Sequence, residues 1–210
     1  MTSGAAKRLG AADVEIVERT TPFRGYFSVD KLRVRHRRYG DGRTGVFERE
    51  VFIRPDAVCV LLYDPKADAV VLLEQFRAGP CAHGKENPFI VSLVAGMIEP
   101  GESPEDVARR ETKEEAGLDL VGRMEPVVEY FTSPGGSSER IHVFCAEVDS
   151  RKAGGVHGVD EEDEDILAVV VPFDQAFEFA TSSGRSLASD VAVALLWLAS
   201  NRERLRKAWR

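Results

Sequence analysis

The strongest constraint on the fold is a pair of almost unbroken apolar runs with a short polar turn between them. The runs are residues 57–63 (AVCVLLY) and 69–76 (AVVLLEQF), and the turn is DPKAD. A strand with one solvated face alternates apolar and polar residues, whereas a continuous apolar run indicates a strand that is covered on both faces. The sequence therefore predicts a buried hairpin at the centre of a layered α/β domain.

The remaining elements surround this hairpin without a regular βαβ rhythm, which predicts a mixed sheet with helices on both faces. We predict further strands at 89–94 (FIVSLV), 126–131, 141–148 and 166–171, and helices near 173–181 and 189–207. Residues 13–53 alternate apolar and charged positions around a Gly-Asp-Gly turn, which predicts a small strand-rich unit. The domains expected from this are residues 1–54, which are β-rich, and residues 55–210.

The charge balance excludes some classes of partner. Lys and Arg number 28 and Asp and Glu number 35, for a net charge of −7, and the six consecutive acids Asp160–Asp165 carry most of that excess. Without a global positive field, the chain is not expected to bind nucleic acid or an anionic membrane. The basic cluster at 33–38 is interpreted as a solvated strand face.

Cysteine spacing and apolar segment lengths predict a cytoplasmic protein. Cys59, Cys81 and Cys145 lie far apart, so neither a disulfide framework nor a zinc site is indicated, and we expect all three to pack in the core. The N-terminus has no apolar run typical of a secretory signal. The most apolar stretch near the C-terminus, residues 191–199, is too short to span a bilayer.

One helix is specified at both ends within residues 96–118 (GMIEPGESPEDVARRETKEEAGL). Ser103 suits the N-cap, Pro104 suits the first helical position, and Asp106 stands three residues after the cap, as in a capping box. Gly117 stands where the chain leaves the helix through a left-handed conformation. The sequence predicts a helix between these signals.

The chemistry of this helix lies in three carboxylates on one face. Glu111, Glu114 and Glu115 stand at i, i+3 and i+4. Like charges at this spacing destabilise a helix by roughly 0.2–0.5 kcal/mol per pair, and anions near a helix C-terminus also oppose the dipole. Clustered carboxylate oxygens are ligands that Mg²⁺ prefers. The alternative is a solvated helix with ordinary ion pairs to neighbouring basic residues.

A wider spacing favours the metal interpretation. The fixed positions of the pattern G-x5-E-x7-R-E-U-x-E-E-x-G-U, where U is apolar, are all filled, with a chance probability of roughly 10⁻⁸ at one site. The matching residues are Gly96, Glu102, Arg110, Glu111, Glu114, Glu115 and Gly117. This pattern resembles the signature of the Nudix hydrolases. One departure is Thr112 at the first U position, where a small β-branched residue can still pack.

The resemblance implies a Nudix fold, an α/β/α sandwich with a mixed sheet, and hydrolysis of a nucleoside diphosphate linked to another group. It implies two to three Mg²⁺ per site, with Mn²⁺ as a substitute. The implied metal ligands are Glu111 and Glu115, helped by Glu114 and the backbone carbonyl of Ala95. The implied orienting residues are Gly96, Glu102 and Arg110.

Between about Val14 and Trp197 the order of landmarks is similar to that of the bacterial ADP-ribose pyrophosphatases within this family. Pro134 stands 17 residues beyond Gly117, where the resemblance implies a preference for ADP-ribose, although an ordinary Pro-Gly-Gly turn is the alternative. The landmarks are Arg24–Phe27, Arg49–Glu50, Glu74–Arg77, Ser133–Arg140 and Glu164–Ile166.

The same resemblance assigns substrate-binding roles. Tyr26 is expected to stack on adenine, with Arg49 and Glu50 contributed by the partner subunit of a homodimer whose N-terminal domains are swapped. Arg77 is expected to bind the diphosphate, since a guanidinium makes bidentate phosphate contacts. Glu139 is expected to contact the terminal ribose or its surroundings.

The acidic run has two interpretations. By composition it is a solvated, disordered loop. By resemblance, Glu162 is the general base that completes a catalytic set with Glu111 and Glu115, Glu161 and Glu164 are alternatives for that base, and Glu164 is a ligand for a third metal ion.

We therefore expect Mg²⁺-dependent hydrolysis of ADP-ribose to AMP and ribose 5-phosphate. The alternatives are a GDP-mannose or other nucleotide-sugar pyrophosphatase, a Nudix-fold sensor that binds ADP-ribose without cleaving it, and a messenger-RNA cap hydrolase, which the net charge disfavours.

Overall fold

The computed structural model describes residues 8–84, 87–120, 122–184 and 186–209. The chain divides into two compact units. One comprises Met1–Pro55 together with Phe131–Glu139, and the other comprises Asp56–Tyr130 and Arg140–Arg210. The first unit is thus built from two separate stretches of sequence. The predicted boundary after residue 54 remains a prediction.

The N-terminal unit contains a three-stranded antiparallel sheet in the order β1-β2-β3. Cross-strand ion pairs explain the basic cluster: Arg35 lies opposite Glu15 and donates to it at 2.9 Å, and Arg33 lies opposite Glu18 at 3.1 Å. Opposite charges on facing positions stabilise a sheet surface. The strands are β1 (Val14–Arg24), β2 (Ser28–His36) and β3 (Phe47–Ile53).

Residues 131–139 belong to this unit through backbone hydrogen bonds with the end of β3. The N–H of Phe52 donates to the carbonyl of Gly136 at 2.8 Å, and the N–H of Ser138 donates to the carbonyl of Phe52 at 3.0 Å. The segment therefore adds a short parallel bridge, between Phe52 and Ser137, to a sheet that is otherwise antiparallel.

The second unit contains an eight-stranded sheet whose order is β10-β11-β5-β4-β9-β8, with β6 paired to β5 and β7 paired to β4. The sheet is mixed, as predicted, because β4 runs parallel to β9 but antiparallel to β5. The strands are β4 (Ala57–Asp64), β5 (Ala69–Phe76), β6 (Phe89–Ser92), β7 (Val94–Met97), β8 (Met124–Phe131), β9 (Arg140–Glu147), β10 (Gly155–His157) and β11 (Ile166–Pro172).

Helices cover both faces of this sheet, which confirms the predicted fold class. Strand β4 is buried at every position. Its alternating residues contribute to two cores: Leu61 packs with residues of α3 and α4, and Leu62 packs with residues of α2. None of the described helices is long and apolar enough to cross a membrane. The helices are α1 (Ala78–Ala82), α2 (Pro104–Ala116), α3 (Phe173–Thr181) and α4 (Ser189–Ala208).

The prediction of one strand over residues 89–94 was wrong. Two strands, β6 and β7, meet at Leu93, which belongs to neither. The reason is that β4 and β5 pair only near their turn, from Leu62 opposite Val71 to Asp64 opposite Ala69. Beyond that point they diverge, so the segment between them pairs first with β5 and then with β4.

The cysteine prediction holds for two of the three residues. Cys59 and Cys145 are buried, and burial raises the pKa of the Cys145 thiol. Cys81 is exposed instead, because it lies on the five-residue helix α1, none of whose residues is buried. Packing therefore accounts for Cys59 and Cys145 only.

Candidate active site

Helix α2 begins and ends at the predicted signals. The Ser103 hydroxyl accepts a hydrogen bond from the Asp106 N–H at 3.2 Å and donates to the Asp106 carboxylate at 2.7 Å. Gly117 adopts φ 66°, and its N–H donates to the carbonyl of Lys113 at 3.1 Å. Since a left-handed residue after the last turn closes the helix, the direction of the chain is fixed on both sides of the glutamates.

The buried side of α2 is mostly apolar but includes one carboxylate. Val107, Ala108 and Ala116 pack against the sheet. Thr112 is fully buried, and its hydroxyl donates to the carbonyl of Ala108 at 2.6 Å. The polar group of this unusual signature residue therefore has its hydrogen-bond partner within the same helix. Glu115 lies on the same buried side, with 1% of its surface exposed.

Glu115 forms a hydrogen bond with the backbone of strand β7. Its Oε2 accepts a hydrogen bond from the N–H of Ala95 at 2.8 Å. Burial raises the pKa of Glu115 to about 8, against the effect of that hydrogen bond and of the nearby positive charge of Arg77. The charges of Glu111 and Glu164 act in the same direction as burial. A buried carboxylate with this pKa favours an added cation.

Glu111 lies directly over Gly96. A Cβ atom on Gly96 would stand 1.8 Å from Glu111 Oε1, so a residue with a side chain at position 96 would displace this carboxylate. Burial raises the pKa of Glu111 to about 7, and the charges of Glu114 and Glu164 act in the same direction. The close approach explains why the signature requires glycine here.

Arg110 joins three of the carboxylates. Its Nη1 donates to Glu111 Oε1 at 2.7 Å and to Glu114 Oε2 at 3.2 Å. Its Nε and Nη2 donate to Glu102 at 3.2 and 3.3 Å. The hydrogen bond with Arg110 lowers the pKa of Glu102, which also accepts from the N–H of Glu99. The orienting residues predicted from the signature are thus brought together with the predicted metal ligands.

Arg77 immediately follows β5, near the same carboxylates. Its N–H donates to the carbonyl of Pro88 at 3.0 Å, and its positive charge opposes the rise that burial causes in the pKa of Glu115 and of Asp190. Among the described residues, no carboxylate lies within ion-pair distance of its guanidinium. This half-buried group is therefore free to bind an anion beside the glutamates.

The acidic run forms an ordered loop next to α2. The N–H of Gly158 donates to the carbonyl of Glu114 at 3.1 Å, which ties the loop to the last turn of the helix. Glu164 Oε2 accepts from the N–H of Val159 at 3.2 Å, and its charge raises the pKa values of Glu111 and Glu115. Glu162 is exposed on the 3₁₀ turn Asp160–Glu162. The structure thus places Glu164 with the metal-ligand candidates.

Three of the predicted substrate residues lie on the surface of the N-terminal unit. The Tyr26 side chain is 85% exposed and contacts the Phe27 ring edge to face at 4.7 Å. The Arg49 guanidinium lies over the Phe47 ring at 4.6 Å. Glu50 is exposed on β3. The exposed Tyr26 ring leaves an aromatic face available for stacking.

Glu139 is buried in the same unit rather than open to solvent. It forms an ion pair with Arg54 at 3.0 Å and accepts from the Thr132 hydroxyl at 3.1 Å. The Arg54 guanidinium also lies over the Phe27 ring at 4.6 Å. Sequence reasoning missed Arg54, because nothing in its local sequence distinguishes it from the other arginines. Pro134 lies in an exposed turn, where the N–H of Gly136 donates to the carbonyl of Ser133 at 3.0 Å.

The donor set of the α2 site fits a hard dication. Carboxylate oxygens dominate it, and Arg110 alone bridges the carboxylate groups of Glu102, Glu111 and Glu114. In the described part of the chain no three His, Cys, Asp or Glu side chains are already arranged around a metal position, since Glu102, Glu111 and Glu114 turn towards Arg110. The candidate ligands are Glu111, Glu114, Glu115, Glu164 and the carbonyl of Ala95.

Comparison with known families agrees with this geometry. The family model described as the NUDIX domain matches residues 53–189. The chain belongs to the Nudix family. The matched region contains the complete signature and the acidic loop, and it begins at the last residue of β3.

Individual relatives and a solved structure extend the comparison. The chain is 44% identical over 200 residues to an ADP-ribose pyrophosphatase of Escherichia coli strain K12, which covers 95% of this chain and 94% of that protein. It is 40% identical over 139 residues to a GDP-mannose pyrophosphatase of Escherichia coli O1:K1 / APEC, covering 66% and 71%. A crystal structure of an ADP compounds hydrolase, 22% identical, has the same fold with a TM-score of 0.67 over 93% of this chain and 98% of that one.

Proposed function

We propose that this Nudix protein hydrolyses ADP-ribose to AMP and ribose 5-phosphate in a Mg²⁺-dependent reaction. The observation that carries the proposal is the pair of buried carboxylates Glu111 and Glu115, whose pKa values are raised to about 7 and about 8. Near neutral pH, Glu115 is mostly protonated and Glu111 is about half protonated unless a cation replaces the protons. ADP-ribose is favoured over GDP-mannose because the similarity to the ADP-ribose enzyme covers 95% of this chain, whereas the similarity to the GDP-mannose enzyme covers 66%.

Two or three Mg²⁺ ions would be held by Glu111 and Glu115, with Glu114, Glu164 and the carbonyl of Ala95 as further ligands, and Mn²⁺ would be a substitute. Bound Mg²⁺ supplies positive charge that stabilises a diphosphate in its transition state. Gly96, Glu102 and Arg110 would orient the ligands: Gly96 leaves space for Glu111, and Glu102 fixes Arg110, which fixes Glu111 and Glu114.

The reacting groups of the chain are Glu162 and Arg77. Glu162 would accept the proton of the attacking water at a carboxylate oxygen, while the bond between phosphorus and the bridging oxygen of the diphosphate breaks. Arg77 would donate to the diphosphate oxygens. Its guanidinium forms no ion pair among the described residues, which supports this role.

The N-terminal domain, residues 1–54, would bind adenine and form the homodimer, and the Nudix domain, residues 55–210, would carry out hydrolysis. Tyr26 would stack on the base, with Arg49 and Glu50 reaching it from the swapped domain of the partner subunit, which agrees with the exposure of all three. Glu139 would contact the terminal ribose. The enzyme would act in the cytoplasm.

Product analysis of the purified chain tests this function. ADP-ribose and GDP-mannose are incubated separately with and without Mg²⁺, and with Mn²⁺, and the products are separated by chromatography. We expect AMP and ribose 5-phosphate only with metal, and a kcat/KM for ADP-ribose at least about tenfold above that for GDP-mannose. A preference for GDP-mannose, or tight binding of ADP-ribose without AMP release, would contradict the proposal.

The role of Glu162 is tested by Glu162→Gln. The variant should bind ADP-ribose normally and lose roughly 10²–10⁴-fold in kcat, the range typical of a general base. Glu161→Gln, on the same 3₁₀ turn, is the matched control and should stay within about twofold of wild type. Normal turnover by Glu162→Gln would assign the base to Glu161 or Glu164.

A further inference from the structure

A buried carboxylate outside the Nudix signature contacts the backbone that leads into it. Asp190 lies in the first turn of α4 and has 8% of its surface exposed. Its Oδ2 accepts a hydrogen bond from the N–H of Leu93 at 3.2 Å, although the two residues are 97 positions apart. Charged side chains are seldom this buried without a specific partner, so the contact with Leu93 needs an explanation.

Leu93 needs this acceptor because of its place in the sheet. It stands between β6, which pairs with β5, and β7, which pairs with β4. The segment that precedes α4 continues the sheet beside β6: Leu187 forms a parallel bridge with Val91, and the N–H of Ala188 donates to the carbonyl of Val91 at 3.0 Å. At Asp190 the backbone is already helical, so the side chain takes the place of a strand carbonyl.

The next such N–H group belongs to the active site. Two residues beyond Leu93, the N–H of Ala95 donates to Glu115 Oε2 at 2.8 Å. Two buried carboxylates from two different helices, Asp190 of α4 and Glu115 of α2, therefore hold N–H groups on the same short stretch of backbone. This stretch continues to Gly96, over which Glu111 packs.

We propose that Asp190 is a positioning residue of the Nudix site. By accepting the hydrogen bond of Leu93, it fixes the junction of β6 and β7. The junction in turn fixes the backbone of Ala95 and Gly96, which Glu115 and Glu111 contact. The proposal rests on the proposed function in that these glutamates bind a divalent cation. It assigns a role to a side chain that the signature does not include.

The acceptor oxygen carries this role, rather than the negative charge. Among the described residues Asp190 forms no ion pair, and the charge of Arg77 acts on it only at a distance. Burial raises the pKa of Asp190, which favours the neutral acid, and a neutral carboxyl group still accepts a hydrogen bond through its carbonyl oxygen. An amide at this position would do the same.

The test compares Asp190→Ala with Asp190→Asn in the full chain. The first readout is hydrogen exchange of the backbone amides of residues 89–97, and the second is a Mn²⁺ titration followed by electron paramagnetic resonance. Asp190→Ala should speed exchange at Leu93 and Ala95 by about tenfold or more and weaken Mn²⁺ binding by about tenfold, the lower end of the range for indirect supports of metal ligands. Asp190→Asn should restore both to within about threefold of wild type.

Asp64→Ala is the matched control. Asp64 is another buried carboxylate that accepts backbone N–H groups, and it ends β4 five residues after Cys59, which pairs with Ala95. Five strand residues span about 16 Å. This variant should lower the melting temperature but leave Mn²⁺ affinity and the exchange of Leu93 and Ala95 unchanged.

Two results would overturn the proposal. The first is that Asp190→Ala keeps the amide exchange rates and the Mn²⁺ affinity of wild type. The second is that Asp190→Asn binds Mn²⁺ as weakly as Asp190→Ala, which would assign the effect to the charge near Arg77. If the wild-type chain neither bound Mn²⁺ nor cleaved ADP-ribose, the proposed function would fail, while amide exchange would still decide whether Asp190 fixes the junction.

Discussion

Two carboxylates of the larger unit are both nearly inaccessible to solvent, but they differ in what surrounds them. Asp64, 4% exposed, accepts hydrogen bonds from the N–H groups of Lys66, Ala67 and Ser150 and from the Ser150 hydroxyl, at 2.7–3.0 Å. Despite burial, these donors hold its pKa below the usual value. Glu115, 1% exposed, accepts one hydrogen bond, and burial raises its pKa to about 8.

The difference shows that the number of hydrogen-bond donors, together with the depth of burial, sets the direction in which the pKa of a carboxylate shifts. Asp64 is compensated by N–H groups of the turn that follows it and by the N–H and hydroxyl of Ser150, so its ionised form stabilises the fold. Glu115 lacks such compensation and shares its surroundings with Glu111 and Glu164, which carry the same charge. A site of this kind is stabilised by a cation, which in our proposal is the Mg²⁺ that hydrolysis requires.

Glu115→Gln tests the comparison most severely. The amide removes a metal ligand but retains an oxygen that can accept the Ala95 hydrogen bond. We expect kcat/KM for ADP-ribose to fall by on the order of 10⁴-fold or more, while the metal-free chain becomes no less stable, because a poorly compensated buried acid is gone. Activity assays and thermal unfolding without metal measure the two effects.

Asp64→Asn is the counterpart at the compensated carboxylate. Its new NH₂ group would face donors instead of acceptors, which costs about 2–3 kcal/mol of unfolding free energy. The activity of the folded protein should stay within about twofold of wild type. If Asp64→Asn lost activity and Glu115→Gln lost stability, the distinction between the two carboxylates would be wrong.

Gly96→Ala acts on the same site from the backbone side. The new Cβ would stand 1.8 Å from Glu111 Oε1, so this carboxylate must move. We expect Mn²⁺ affinity and kcat/KM each to fall by about 10²-fold, the upper range for a displaced support of a metal ligand. Gly45→Ala is the control, since no atom lies within 4 Å of a Cβ there. Equal metal affinity in the two variants would contradict the packing argument.

The raised pKa values also predict how stability depends on pH. Between the ordinary value of 4.5 and the folded values of about 7 and about 8, Glu111 and Glu115 keep protons that the unfolded chain has lost. The unfolding free energy of the metal-free chain should therefore fall as pH rises from 5 to 8, by on the order of 6 kcal/mol. Denaturant titrations at several pH values measure this slope. Glu115→Gln should make this pH dependence smaller, and saturating Mg²⁺ should oppose it. An unchanged slope in both cases would show that Glu111 and Glu115 are not the source of the pH dependence.

Features specified by neighbouring residues were predictable from the sequence. The caps of α2 are set by Ser103 and Gly117, which lie within one turn of the groups that they satisfy. The buried runs of β4 and β5 predicted the centre of the sheet, because continuous apolar strands require cover on both faces. The i, i+3, i+4 spacing placed Glu111, Glu114 and Glu115 on one helix face.

Features that depend on distant residues were not predictable. The break at Leu93 follows from the divergence of β4 and β5 and from an acceptor contributed by Asp190, neither of which is encoded within FIVSLV. Composition could not distinguish the six acids of the loop either. The resemblance assigned different roles to Glu162 and Glu164, and the fold shows their different surroundings: Glu164 influences the metal-ligand candidates, whereas Glu162 lies on an exposed turn.

The return of residues 131–139 to the N-terminal unit limits how this protein can be cut or recombined. A fragment starting at Asp56 would keep this segment but lose Phe52, whose backbone holds Gly136 and Ser138. No single cleavage of the chain yields both units intact, so an exchange of N-terminal modules between relatives would succeed only if two stretches of sequence were transplanted together.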